Sequence, residues 1–173
     1  MPGEGLGLPL TVGGATLSEV DPGPVTSISP FRGKEAAVAR ALGGAHLPAP
    51  GRVERMGEAR LLWTGPGRAL LVGRAVPEGL SGIAAVVEQG DGIACMVLGG
   101  PAAREVLARL VPLDLRERAF PAGATAQTLL NHMAVTLTRV EPEAYEVMAM
   151  RSMAATLVRE VAEAMEHVAA RAV

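Results

Sequence analysis

The sequence predicts an α+β protein made of two similar β-α-β-β halves, with mainly antiparallel sheet and helices packed on it. Short aliphatic or alternating runs bounded by Gly, Pro and Asn turns supply the strands, and three segments with apolar residues at helical spacing supply the helices. Their order, β-α-β-β-(α)-β and then β-α-β-β-β-α, with the bracketed helix of the first half degenerate, places helices over antiparallel sheet. The similarity of the halves lies in the pattern of elements and not in repeated residues.

The elements follow in order. Met1 to Pro24 is rich in Gly and Pro, a composition that resists regular structure, and is expected to be a flexible arm (residues 1–24) preceding one compact domain (25–173, halves 25–90 and 91–173). Val25–Ser29 alternates as a strand. Gly33–Leu42 reads as a helix with Ala37, Val38, Ala41 and Leu42 inward, stopped by Gly43-Gly44. After the proline-rich loop His46–Gly51, Ala59–Thr64 and Ala69–Val72 form a hairpin around Gly65-Pro66-Gly67. Pro77–Gly82 is too short and glycine-bearing for a helix. Ile83–Glu88 and Ile93–Leu98 are expected to pair as a second hairpin around Gly90-Asp91-Gly92.

The run from Leu98 to Thr128 is the most informative. Gly99-Gly100 turns the chain, Pro101 sits where a helix tolerates proline, and Ala103, Val106, Leu107 and Leu110 make one apolar face. Val111-Pro112 ends that helix, because the residue before a proline is pushed out of the α region. Phe120-Pro121 and Gly123 then redirect the chain into a meander of Ala126–Leu130, Met133–Val140 and Tyr145–Met150, separated by Asn131-His132 and Glu141-Pro142-Glu143. Ser152 is the expected cap of a closing helix with Met153, Leu157, Val161, Met165 and Val168 on one face.

That ordered series carries a resemblance. The Pro101 helix, the Pro112-Leu113-Asp114-Leu115 turn, Phe120-Pro121, the Ala126-Gln127-Thr128 step, Arg151-Ser152 and an upstream Trp63-Thr64-Gly65-Pro66 hairpin resemble the gamma subunit of heterotetrameric sarcosine oxidase. The resemblance runs from Val25 to Val168, with Glu88–Gly92 and Met153 departing from the family's usual turn and aromatic residue. It implies the folate-binding fold of the glycine cleavage T-protein and an accessory subunit of a complex that oxidatively demethylates sarcosine to glycine, with one-carbon transfer to tetrahydrofolate. It also implies alpha, beta and delta partner subunits that carry FAD, FMN, NAD and tetrahydrofolate, with no cofactor on this chain. The alternatives are a freestanding folate-binding or aminomethyltransferase-like protein of the same fold and a subunit of a related amine dehydrogenase.

Composition narrows the rest. At 173 residues and 49% apolar content the chain is long enough to bury a sizeable core. With only two Phe, one Trp and one Tyr, Ala, Gly and eight Met carry the bulk, so the core is expected to be built from small and flexible side chains. A net charge of −2, Lys34 as the single lysine and so few aromatic platforms argue against nucleic acid. Cys95, alone in an aliphatic strand, allows no intrachain disulfide. No apolar run is long enough to cross a membrane and the N-terminus lacks a signal-peptide pattern, so a cytoplasmic location is expected.

Candidate sites are sparse. His46, His132 and His167 lack the spacing of a metal site, and no catalytic residue is expected in this chain. Gln127 and Thr128 stand on an otherwise apolar strand, where a buried polar group needs a partner. Arg151, at a strand end beside Ser152, could reach the Ala126-Gln127-Thr128 step or a partner's carboxylate. Asp91 is the most placeable acid, although an aspartate in a turn serves local hydrogen bonding first. These five, Asp91, Gln127, Thr128, Arg151 and Ser152, are the expected structural or interface polar residues.

Overall fold

The computed structural model describes residues 5–171. In chain order the elements are β1 (Leu10–Val12), β2 (Ala15–Val20), β3 (Val25–Pro30), α1 (Glu35–Ala41), β4 (Val53–Met56), β5 (Ala59–Gly65), β6 (Arg68–Val72), β7 (Ala84–Glu88), β8 (Ile93–Gly99), α2 (Ala103–Ala108), β9 (Thr125–Leu130), β10 (Met133–Glu141), β11 (Ala144–Met150) and α3 (Ala154–Ala169). The strands form a six-stranded sheet, β1-β2-β8-β11-β10-β9, and a five-stranded sheet, β4-β5-β6-β3-β7. Every strand pair in both sheets is antiparallel. The α+β class read from the sequence is the class of the fold.

The chain divides into two compact units, residues 22–91 and residues 1–21 with 92–173. Each has a first strand, a helix and a three-strand meander whose last strand returns to pair with the first: β3-α1-β4-β5-β6 in one, β8-α2-β9-β10-β11 in the other. A further strand then flanks the first strand on its other side. In the five-stranded sheet it is β7, the strand just before β8; in the six-stranded sheet it is β2, the strand just before β3. Each unit therefore completes its sheet with a strand that precedes the other unit's first strand in the chain.

This topology corrects two expectations. The segment 1–24 is not a flexible arm over its described part: Leu10–Val12 and Ala15–Val20 are strands, with Leu17 and Ala15 in the core. Residues 1–4 lie outside the described residues. Ile83–Glu88 and Ile93–Leu98 do not pair with each other either, because β7 joins β3 and β8 joins β2 and β11. Gly90–Gly92 is a single 3-10 turn linking the two sheets. Glycines between two aliphatic strands permit a hairpin but do not require one.

The helical faces follow the sequence closely. Ala103, Val106, Leu107 and Leu110 are buried, as are Leu157, Val161, Met165 and Val168, and both sets belong to the core that covers one face of the six-stranded sheet. The same core takes Leu17, Met96, Leu98, Val135, Leu137 and Val147 from the strands. In the other unit Val38 and Leu42 of α1 pack with Ile28, Leu61 and Leu71, and α1 ends where Gly43 and Gly44, both at positive φ, return their N–H groups to the Arg40 and Ala39 carbonyls. Ser152 is not the cap of α3. It lies in a 3-10 turn, Arg151–Met153, and Met153 occupies the cap position without a side-chain bond. Strand β4 was not among the expected elements, because Val-Glu-Arg-Met is half charged.

Candidate functional site

Strand β10 is buried on both faces, and this organises the polar groups of its sheet. Val135 and Leu137 point into the helix-covered core, while Thr136 and Thr138, one residue out of step, share the other face with the buried Glu146 of β11. The cross-strand register puts Thr125 opposite Thr138 and Gln127 opposite Thr136. The hydroxyls of Thr125 and Thr138 bond to each other at 2.9 Å, and Gln127 Nε2 donates to Thr136 Oγ1 at 2.7 Å. A row of paired hydroxyls and amide thus crosses β9 and β10. Gln127 is itself exposed and Thr128 half-buried on the opposite face.

Arg139 and Tyr145 were not singled out by the sequence, and both are buried. They face each other across β10 and β11, with the guanidinium 5.6 Å from the ring centre. Arg139 also donates to the Phe120 carbonyl at 2.9 Å and, through Nε and Nη2, to the Pro142 carbonyl at 3.2 and 2.5 Å. One side chain therefore fixes both the Phe120-Pro121 turn and the β10–β11 hairpin. Burial pushes the Tyr145 phenol above its ordinary pKa, against the opposing pull of the Arg139 charge. The phenol oxygen has no hydrogen-bond partner. The signal for this cluster was the two-residue period of Met133–Glu141, in which Thr and an Arg interrupt an aliphatic strand.

The other expected residues are dispersed. Arg151 does not reach the Ala126-Gln127-Thr128 step; it donates to the Ile93 carbonyl at 2.5 Å and pairs with Glu19 of β2 at 3.4 Å. Ser152 and Asp91 are exposed in their 3-10 turns. Asp114 accepts from the Arg116 guanidinium at 2.6 and 2.8 Å and from its backbone N–H at 3.0 Å, which holds the carboxyl at about 2. His46, His132 and His167 are exposed, and among the described residues no group of three or more His, Cys, Asp or Glu could hold a metal ion.

The glycine turns do not fit a phosphate group. Gly65 and Gly67 belong to the β5–β6 hairpin, and Gly100, at φ +110°, packs its Cα against the backbone of Gly14, whose carbonyl accepts from Ala102 N–H at 3.0 Å. The N-terminal hairpin fills the space where a phosphate cradle before α2 would have to lie.

No protein-family model matches the sequence, and no curated protein sequence matches it. A solved structure does. A chain of heterotetrameric sarcosine oxidase from Corynebacterium sp. U-96, in a structure with pyrrole 2-carboxylate, is 25% identical, with a TM-score of 0.80 over 92% of this chain and 88% of that one. The chain has the fold of a sarcosine oxidase chain. The glycine cleavage system aminomethyltransferase T from Bartonella henselae shares the fold at 16% identity and a TM-score of 0.63, over 87% of this chain and 46% of that one. The resemblance read from Trp63, the Pro101 helix and Arg151-Ser152 is thus a resemblance of the whole fold. Among the described residues no helix is long and apolar enough to cross a membrane.

Proposed function

We propose that this chain is the gamma subunit of a sarcosine oxidase complex and acts as its accessory subunit. The observation that carries the reading is the extent of the structural match, which runs nearly end to end over both chains. The complex would convert sarcosine to glycine, pass the one-carbon unit to tetrahydrofolate and reduce oxygen to peroxide. FAD, FMN, NAD and tetrahydrofolate would lie on the alpha, beta and delta partners, in the cytoplasm. This chain's own polar groups support an accessory role, because Arg139, Arg151, Thr125 and Asp114 are engaged within the fold.

Co-expression with alpha, beta and delta chains from the same source, with an affinity tag on this chain, tests the reading. The expected result is co-purification of a yellow complex that forms peroxide from sarcosine, while the chain alone is colourless and inactive. Turnover by the isolated chain, or failure of every flavin-bearing chain to co-purify, would overturn it.

A further inference from the structure

Strand β7 ends the five-stranded sheet, and no described strand covers its outer edge. The bonds from Phe31 N–H to the Ile83 carbonyl and from Gln89 N–H to the Val25 carbonyl set the phase of its ladder with β3. Residues 83, 85, 87 and 89 face β3, and alternation turns the N–H and C=O of Val86 and Glu88 outward. Ala84, Ala85, Val86 and Val87 carry no charge, proline or bulge, the usual protections of an edge, and Val87 is 55% exposed. Beside the edge lies an open cleft of about 460 Å³, lined by Val76, Glu78, Leu80, Ala84 and Val86 among others.

We propose that the β7 edge is the seat of an extended segment of a partner subunit, which adds to the sheet as a further strand. The inference rests on the accessory-subunit reading and names the surface that such a subunit would use. Main-chain bonds to Val86 and Glu88 supply the attachment, and side chains opposite Ala84 and Val86 enter the cleft. Both positions call for small or apolar residues. Two residues further, on the same face, the segment meets Glu88, with Asp91 exposed just beyond, and this acidic end calls for Lys or Arg. A second copy of this chain is a poorer occupant, because its own Ala-Ala-Val-Val-Glu strand brings no cation to Glu88.

The test is amide hydrogen exchange of the full chain, alone and in the complex co-expressed with alpha, beta and delta chains. The Val86 and Glu88 amides should exchange about tenfold or more slowly in the complex, while the inward Ala85 and Val87 amides change little. Val86→Pro removes an outward N–H that the sheet does not use, so the isolated chain should keep its fold but lose co-purification. Glu88→Arg should weaken it through charge alone. A complex that forms with unchanged Val86 and Glu88 exchange, or equally well with both variants, overturns the docking edge and leaves the subunit reading standing. Protection that appears instead on self-association of the isolated chain assigns the edge to a second copy and overturns the proposal. Failure of all partners to co-purify with the wild-type chain overturns both.

Discussion

Tyr145 is the largest side chain fully enclosed in the fold, and its hydroxyl lies inside with no partner. A buried hydroxyl without a hydrogen bond costs about 1–3 kcal/mol relative to one that is paired. Tyr145→Phe keeps the ring beneath Arg139 and removes the oxygen, so its thermal midpoint at neutral pH should equal or exceed that of the wild type. The pH dependence has a definite sign. Because burial raises the phenol's pKa in the folded chain, the unfolded chain releases this proton first, and the associated stability is present below about pH 10 and lost as pH rises through the folded value. Urea midpoints at neutral pH and at about pH 11 should therefore fall less steeply in Tyr145→Phe than in the wild type. A variant less stable at neutral pH would show that the hydroxyl is paired. At this scale the sequence was legible where the need was local, as at Gly43-Gly44, the expected stop of α1, whose N–H groups return to the Arg40 and Ala39 carbonyls. It was not legible where the partner is remote: Arg151 finds Glu19 more than a hundred residues away, and no spacing rule announces that.

The closing helix shows what periodicity can and cannot deliver. Leu157, Val161, Met165 and Val168 recur at helical spacing and are all buried, so the inward face of α3 is fixed by the sequence pattern. Leu157 is wholly enclosed, and Leu157→Ala should destabilise the chain by about 2–5 kcal/mol. Denaturant unfolding measures this directly, and an unchanged midpoint would mark the helix as peripheral. The start of the helix escaped the pattern, because a 3-10 turn tightens Arg151–Met153 and moves the cap from Ser152 to Met153. Strands were legible by type more than by pairing. The β9-β10-β11 meander emerged because its turns are short, with Asn131 at φ 51° closing Leu130 against Met133. The supposed β7–β8 hairpin did not, since adjacency in sequence is a weaker constraint than the flank each first strand offers.

Across the whole chain, the pairing of β2 with β8, far away in sequence, decides how stability is distributed along the sequence. Composition alone argued for an arm before Pro24, because Gly and Pro suggest disorder whether they open a tail or close tight turns between strands. In the fold they do the second, and the segment between them pairs along β8 from Val20 opposite Cys95 to Thr16 opposite Gly99. Gly13 and Gly14 bring that hairpin against Ala169 of α3 and Pro101 at the start of α2, while Arg151 ties Glu19 to the β8 start. The N-terminal strands are therefore held by elements from the last half of the chain. Deleting residues 1–20 uncovers the Ile93–Gly99 edge and removes Leu17 from the core, so the loss should centre on β8 and β11 instead of on the deletion site. Amide exchange should show protection falling in β8 and β11, accompanied by a lower thermal midpoint or aggregation through the exposed edge. In the intact chain, proteolysis should spare Leu10–Val20 even without partners. Rapid cleavage there, with β8 still protected, would restore the detachable arm.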